Sequence, residues 1–112
     1  MKRTSWFRKA KYGFFFHFLN GSAGNGGDSH ANIDEWNRRC EAYDVDKVSR
    51  QLSELGAGYC FITVGQNSGY YCSPNQTMDR LIGYTEKTSK CSRRDVVADL
   101  ADALAEYNIP LM

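Results

Sequence analysis

Runs of apolar residues along the chain predict β-strands. Tyr12–Phe18 is an aromatic run, and Tyr59–Val64 is an unbroken run of β-branched, aromatic and small apolar residues. Runs without polar alternation are typical of strands buried on both faces, as in a parallel sheet covered by helices. Ile109–Met112 has the pattern of a strand that is beginning. The apolar pattern therefore predicts two buried strands and the opening of a third.

Apolar residues at helical spacing predict two helices between these strands. Asp44 is suited to cap the first helix at its N-terminus, and Gly56 to end it. Ser92 is suited to cap the second, with Asp95 three residues on in the manner of a capping box. The first apolar stripe is Val45, Val48, Leu52 and Leu55, and the second is Val96, Val97, Leu100, Ala101 and Leu104.

The order strand, helix, strand, helix, strand predicts an α/β fold with parallel strands and right-handed crossovers. At 112 residues the chain is long enough for one small domain. The pattern leaves two long loops, Leu19–Tyr43 and Gly65–Cys91, and each follows a strand. Since functional loops of such sheets lie at the carboxyl ends of the strands, we expect a working face there.

Composition and charge exclude several classes of partner. A formal net charge of +1 gives no field for nucleic acid or an anionic membrane, and no apolar stretch is long enough to span a bilayer. His17, His30 and four scattered cysteines form no metal-binding pattern. We therefore expect no nucleic-acid or membrane partner, no metal and no cofactor.

The cysteines also bear on location. Their spacing does not predict a disulfide framework, although a Cys72–Cys91 pair stays open. Reduced thiols indicate a cytoplasmic protein. The segment before Leu19 superficially resembles a signal peptide, but its apolar core is short and interrupted by His17, so secretion is the less favoured alternative.

A polar segment directly after the second strand is the main functional signal. Gln66, Asn67 and Ser68 offer amide and hydroxyl groups that donate and accept hydrogen bonds, and Tyr70 and Tyr71 add flat aromatic surface. Neutral polar groups beside aromatic rings, at the end of a buried strand, suit a polyhydroxylated ligand. This pattern predicts a sugar site.

Four segments together resemble the alpha-L-fucosidase family of glycoside hydrolases. The resemblance covers nearly the whole chain. Trp6–His17 is similar to that family's first strand, which ends in histidine, and Glu35-Trp36 stands where the family carries an E-W pair. Thr63–Tyr70 occupies the place of its T-x-K-H-H-D-G-F motif, and Arg94–Val97 resembles the start of its second helix.

The resemblance implies that residues 1–112 are the N-terminal portion of a (β/α)8 TIM barrel, incomplete in this chain. It further implies retaining hydrolysis of a terminal sugar, with an aspartate nucleophile on a fourth strand that this chain lacks, so the segment alone should be inactive. The family's His-His pair is replaced by Gln66-Asn67 and its following aspartate by Ser68. Amides bind sugar hydroxyls but do not titrate as imidazole does, so substrate choice stays open.

The resemblance also implies which residues contact the sugar, and each has a structural alternative. Glu35 is in addition the candidate acid/base, or else a solvated carboxylate. The alternative for His17 is a core histidine, for Trp36 an anchor of its loop, and for the amides capping of the loop backbone. The predicted sugar contacts are His17, Glu35, Trp36, Gln66 and Asn67.

Two other functions compete with the enzyme interpretation. One is a carbohydrate-binding module without catalysis, in which the amide replacements mark a lost active site. The other is a small α/β domain that oligomerises to complete its sheet. Because three barrel strands leave an open edge and an uncovered core, we also expect self-association or marginal stability.

Overall fold

The computed structural model of the protein describes residues 3–20, 32–66 and 68–112. Over these residues the chain is mixed α/β, with a small parallel sheet and helices around it. The elements are α1 (Ser5–Ala10), β1 (Phe14–Phe16), α2 (Ile33–Glu41), α3 (Val45–Glu54), β2 (Cys60–Ile62), α4 (Gln76–Ile82) and α5 (Val96–Ala105).

The chain folds as two compact units. The first unit is formed by Met1–His17, Asp44–Ile62 and Ala98–Met112, and it holds both strands and α3. The second unit is formed by Phe18–Tyr43 and Thr63–Val97, and it holds α2, α4 and the segments that follow the two strands. The residues that follow β2 and carry the sugar prediction therefore belong to the second unit.

The sheet of the first unit confirms the predicted parallel pairing. β1 and β2 run parallel in the register Phe14 to Cys60 and Phe16 to Ile62. The chain end adds a third pairing, because Leu111 forms a parallel bridge with Cys60 and the Met112 N–H donates to the Cys60 carbonyl at 2.8 Å. Each strand is three residues long, shorter than the apolar runs that predicted it.

Burial of the sheet differs from the prediction. Cys60 and Ile62 are buried, and Phe14 and Phe16 line a cavity of about 450 Å³ beside α3. Phe15, between them, is 60% exposed and meets the half-buried Phe61 with ring centroids 5.9 Å apart. The prediction that β1 is buried on both faces is therefore wrong for the described residues. An unbroken apolar run permits burial on both faces, but only packed neighbours can supply it.

Helix α3 forms as its sequence predicts. The Asp44 carboxylate accepts the Lys47 N–H at 2.9 Å and so satisfies one free donor of the first turn. Gly56, directly after the last turn, takes a left-handed conformation with φ of +74°. This conformation lets the Ala57 N–H reach the Leu52 carbonyl at 3.0 Å, which closes the helix. Leu52 faces the core and is 2% exposed.

Helix α5 has the predicted apolar stripe but a different beginning. Val96, Leu100 and Leu104 are each 0% exposed. The helix begins at Val96, and the Ser92 hydroxyl donates to the Arg94 carbonyl at 2.6 Å. The predicted capping role of Ser92 is therefore wrong, because this bond holds the hydroxyl in the turn before the helix.

Both predicted long loops contain a helix. Asn32 caps α2 by accepting the Glu35 N–H at 2.9 Å, and Asn75 caps α4 by accepting the Met78 N–H at 2.9 Å. Gly83 ends α4 with φ of +83°. The prediction of uninterrupted loops is therefore wrong, since each loop contains a short helix that begins at an asparagine cap.

Candidate functional site

The segment after β2 closes into a tight loop within the second unit. Gly65 pairs with Tyr71 in an antiparallel bridge, and the Cys72 N–H donates to the Val64 carbonyl at 2.8 Å. We call residues Gly65 to Tyr71 the amide loop. At its start the Gly69 N–H donates to the Gln66 carbonyl at 3.2 Å, which makes a four-residue turn.

The polar groups of the amide loop are partly accessible. Gln66 is exposed, whereas Ser68 is half-buried and accepts the Tyr70 N–H at 3.4 Å. Asn67, the other predicted amide contact, lies outside the described residues. The loop therefore presents Gln66 to solvent four residues after β2 ends, and its contact with a sugar stays a prediction.

Trp36 anchors the amide loop through a hydrogen bond and through contacts of its ring. Its side chain is 1% exposed, and its indole N–H donates to the Tyr71 carbonyl at 3.0 Å. Its ring also meets Phe18 and Tyr70, with centroid distances of 5.6 and 5.9 Å. The structure shows that Trp36 anchors the amide loop, and its role in lining a sugar pocket, which this does not exclude, stays a prediction.

Glu35 lies beside Trp36 in the first turn of α2. Its carboxylate accepts a hydrogen bond from the Arg39 guanidinium at 2.8 Å, and both side chains are a little under half exposed. The carboxylate is thus accessible but held by a cation one turn along the helix. Its predicted roles as sugar contact or acid/base stay predictions.

His17 follows β1 directly and belongs to the first unit. It is exposed, and its ring lies 4.6 Å from the Phe15 ring. The alternative of a core histidine is therefore wrong. The predicted convergence of His17 and Gln66 stays a prediction, because the two residues belong to different units.

Arg94 fixes the C-terminal end of α2. One guanidinium nitrogen donates to the carbonyls of Cys40, Glu41 and Tyr43 at 2.8, 3.1 and 2.8 Å. These carbonyls lie at and beyond the helix end, where the helix has no further backbone N–H groups to donate to them. By resemblance Arg94 belongs to a helix start, and no local pattern in the sequence indicates that it caps a helix about fifty residues earlier.

Replacing Arg94 with methionine will lower the free energy of unfolding by about 2 kcal/mol, because carbonyls at the α2 end lose a charged donor. Lysine at this position will recover part of the loss, since an ammonium keeps the charge but not the planar fork. Urea denaturation followed by circular dichroism measures both values. The matched control is Arg50→Met on the exposed side of α3, which should cost less than about 0.5 kcal/mol. Equal losses in the Arg94 and Arg50 variants would contradict the capping role.

Several other chemistries find no support in the described part of the chain. Its residues include no cluster of three potential metal ligands. Nor do they form a helix long and apolar enough to cross a membrane. The cysteines at 40, 60, 72 and 91 are buried free thiols, so no Cys72–Cys91 disulfide forms. Burial raises the pKa of Cys40, Cys60 and Cys72 to about 11, which leaves these thiols neutral and poorly nucleophilic near pH 7.

Comparison with solved structures identifies the fold that this chain resembles. It is similar to an alpha-L-fucosidase GH29 from Bacteroides thetaiotaomicron, with a TM-score of 0.62 and 21% identity over 99% of this chain. It is also similar to a bacterial fucosidase solved with a monovalent iminocyclitol inhibitor, with a TM-score of 0.58 and 20% identity over 95% of this chain. The sequence matches no family model and no curated protein.

The chain spans 29% and 28% of the length of these two solved fucosidases. At this level of identity the similarity concerns the fold, and the residues of the site must be argued from their own chemistry.

Proposed function

We propose that the chain is part of a glycoside hydrolase of the alpha-L-fucosidase type and that its amide loop contacts the sugar. One observation carries the proposal: in a fold shared with solved fucosidases, the neutral amide of Gln66 stands exposed four residues after the parallel strand β2 ends. Such a group donates and accepts hydrogen bonds at once, as sugar hydroxyls require.

In this proposal the amide loop supplies binding, and retaining hydrolysis of a terminal sugar is the activity of the whole protein. Gln66 and Asn67 are proposed sugar contacts, and Glu35 is proposed as a further contact or as the acid/base. His17 is proposed as a contact contributed from the end of β1. The 112 residues correspond to the N-terminal part of a (β/α)8 barrel. Four free cysteines support a cytoplasmic location.

A sugar-binding protein without catalysis is the second candidate. The observation that favours it is the chemistry of the loop, because neither Gln66 nor Ser68 titrates near neutral pH. Assay of aryl fucosides and aryl galactosides with the complete gene product separates the two. Turnover supports the hydrolase, whereas binding without turnover supports the module.

Self-association of this chain is proposed on the open sheet of the first unit. Phe15 is 60% exposed, and among the described strands β1 pairs only with β2. An unpaired strand edge beside an exposed aromatic face favours pairing with a second sheet. Sedimentation of the 112-residue chain tests this, and a strictly monomeric, well-folded chain would contradict it.

Titration of the isotope-labelled chain with methyl fucoside tests the sugar contact. We expect chemical-shift changes at the described amides of the amide loop, and an affinity about fivefold weaker for Gln66→Ala, which corresponds to one neutral hydrogen bond. Gln76→Ala is the matched control, since Gln76 is an exposed glutamine at the start of α4 in the same unit. Unchanged shifts in the loop, or equal losses in the two variants, would refute the proposed contact.

A further inference from the structure

A lysine ammonium borders the amide loop. The Lys90 nitrogen lies 5.1 Å from the centroid of the Tyr70 ring. A Cβ atom built on Gly69 would lie 3.8 Å from the same nitrogen, so the ammonium stands against the turn that begins at Gln66. The Lys90 backbone is held there as well, because its carbonyl accepts the Tyr71 N–H at 3.0 Å.

The charge of this ammonium is not balanced within the described part of the chain. No described carboxylate oxygen lies within 4.0 Å of the Lys90 nitrogen, and several acids of the second unit have partners of their own. Glu35 pairs with Arg39 at 2.8 Å, and the Asp79 carboxylate accepts the Ser89 hydroxyl at 2.6 Å. The described side chains of the turn, Gln66 and Ser68, are neutral.

The contact with Tyr70 does not neutralise the positive charge of the Lys90 ammonium. A ring attracts a cation through its quadrupole but carries no net negative charge, so it supplies no counter-charge to the ammonium. The ring occupies one side of the nitrogen, and its three N–H groups allow a second acceptor. The ammonium of the half-buried Lys90 can therefore donate a hydrogen bond to an anionic oxygen at the edge of the amide loop.

We propose that the sugar recognised by the amide loop is anionic, carrying a carboxylate or a sulfate that pairs with Lys90. The inference rests on the proposed function, because it assumes that the amide loop contacts a sugar. It adds an acidic substituent to the expected substrate, which becomes a uronic acid or a sulfated sugar and not a neutral one. The Gln66 amide hydrogen-bonds to the sugar hydroxyls, and the Lys90 ammonium pairs with the acidic substituent.

Affinities of a matched set of sugars test this. The set is methyl galactoside, its 6-carboxylate (methyl galacturonide) and its 6-sulfate, each titrated into the isotope-labelled 112-residue chain at low salt. We expect the acidic sugars to bind about tenfold more tightly than the neutral one, as one charge-assisted hydrogen bond provides. Added NaCl should reduce this ratio. The carboxylate and sulfate arms distinguish the two sources of the anion.

Substitutions of Lys90 and Lys87 test which lysine causes the preference for acidic sugars. Lys90→Met should abolish the preference for acidic sugars, and Lys90→Arg should retain it. Lys87→Met, which removes the same charge from an exposed lysine three residues earlier, should leave the preference intact. Equal affinities for neutral and acidic sugars in the unaltered chain would overturn the inference without any variant. Equal effects of the Lys87 and Lys90 substitutions would also overturn it.

Failure of the proposed function gives a different result. If no sugar of the set and no fucoside perturbs the amide loop, both the sugar contact and the charge preference are refuted. If neutral sugars bind as tightly as acidic ones and Gln66→Ala weakens them all, only the role of Lys90 is refuted.

Discussion

Replacing Trp36 with alanine will lower the free energy of unfolding by about 3–5 kcal/mol. Trp36 is the largest fully buried side chain among the described residues, and its removal leaves a cavity. The Tyr71 carbonyl also loses the indole N–H that it accepts at 3.0 Å. Urea denaturation followed by circular dichroism measures the loss. Hydrogen exchange of the Cys72 amide, which closes the amide loop, should accelerate in parallel.

Two further variants separate size from hydrogen bonding. Trp36→Phe keeps a ring but removes the donor, so it should cost about 1–3 kcal/mol and still loosen the amide loop. Trp6→Ala removes the same side chain from a 40% exposed position in the first unit and should cost less than about 1 kcal/mol. If Trp6→Ala costs as much as Trp36→Ala, Trp36 is not the anchor described above.

Gly65→Ala should disrupt the amide loop and lower stability by about 3 kcal/mol. A Cβ atom on Gly65 would lie 2.6 Å from the Tyr70 carbonyl oxygen and 2.6 Å from the Tyr71 ring. The first of these atoms belongs to the backbone, so the loop itself must move. We expect methyl fucoside binding to weaken together with stability, and titration and denaturation of the same sample measure both.

Gly83→Ala is the matched control for this substitution. Gly83 has φ of +83°, which disfavours alanine, but among the described residues no atom beyond its own chain neighbours lies within 4 Å of the added Cβ. It should cost about 1 kcal/mol and leave sugar binding unchanged. A larger loss for Gly83 than for Gly65 would show that conformational preference, not contact with the loop, decides the effect.

The predictable parts of this fold are those that local chemistry determines. Helix α3 was predicted closely because its cap at Asp44, its apolar stripe and its terminal Gly56 all lie within thirteen residues, although Leu55 of that stripe is 57% exposed. The parallel pairing of β1 and β2 followed from two apolar runs separated by a helix. The exposure of Phe15 did not follow, because a sequence run indicates how apolar a strand is and not which neighbours cover it.

The missed elements depend on contacts between distant residues or on polar caps. Helices α1 and α4 have only six and seven residues, and α2 carries its helically spaced apolar residues Ile33, Trp36 and Cys40 among six polar ones. In α2, burial is confined to Trp36, Asn37 and Cys40. Asn37 is held there by accepting the Arg93 N–H at 2.8 Å, across more than fifty residues. Such contacts arise from tertiary structure, and no spacing of residues in the sequence predicts them.

The candidate site likewise has features that follow from the local sequence and features that depend on contacts between distant residues. The exposure of Gln66 agrees with the change of polarity after the apolar run, and its contact with a sugar stays a prediction. The hydrogen bond from Trp36 to the amide loop did not follow from the sequence, and the role of Trp36 in lining a pocket also stays a prediction. Lys90 was missed altogether, because a lysine twenty residues after Tyr70 has no pattern that marks it as a neighbour of that ring.

The buried thiols give each unit its own internal reporter. Cys60 lies in the first unit, whereas Cys40, Cys72 and Cys91 lie in the second. An alkylating reagent that requires an accessible thiolate reaches them only when the surrounding unit opens. Mass spectrometry of the labelled peptides therefore times the opening of each unit separately in one experiment without denaturant, using only the cysteines that the chain already contains.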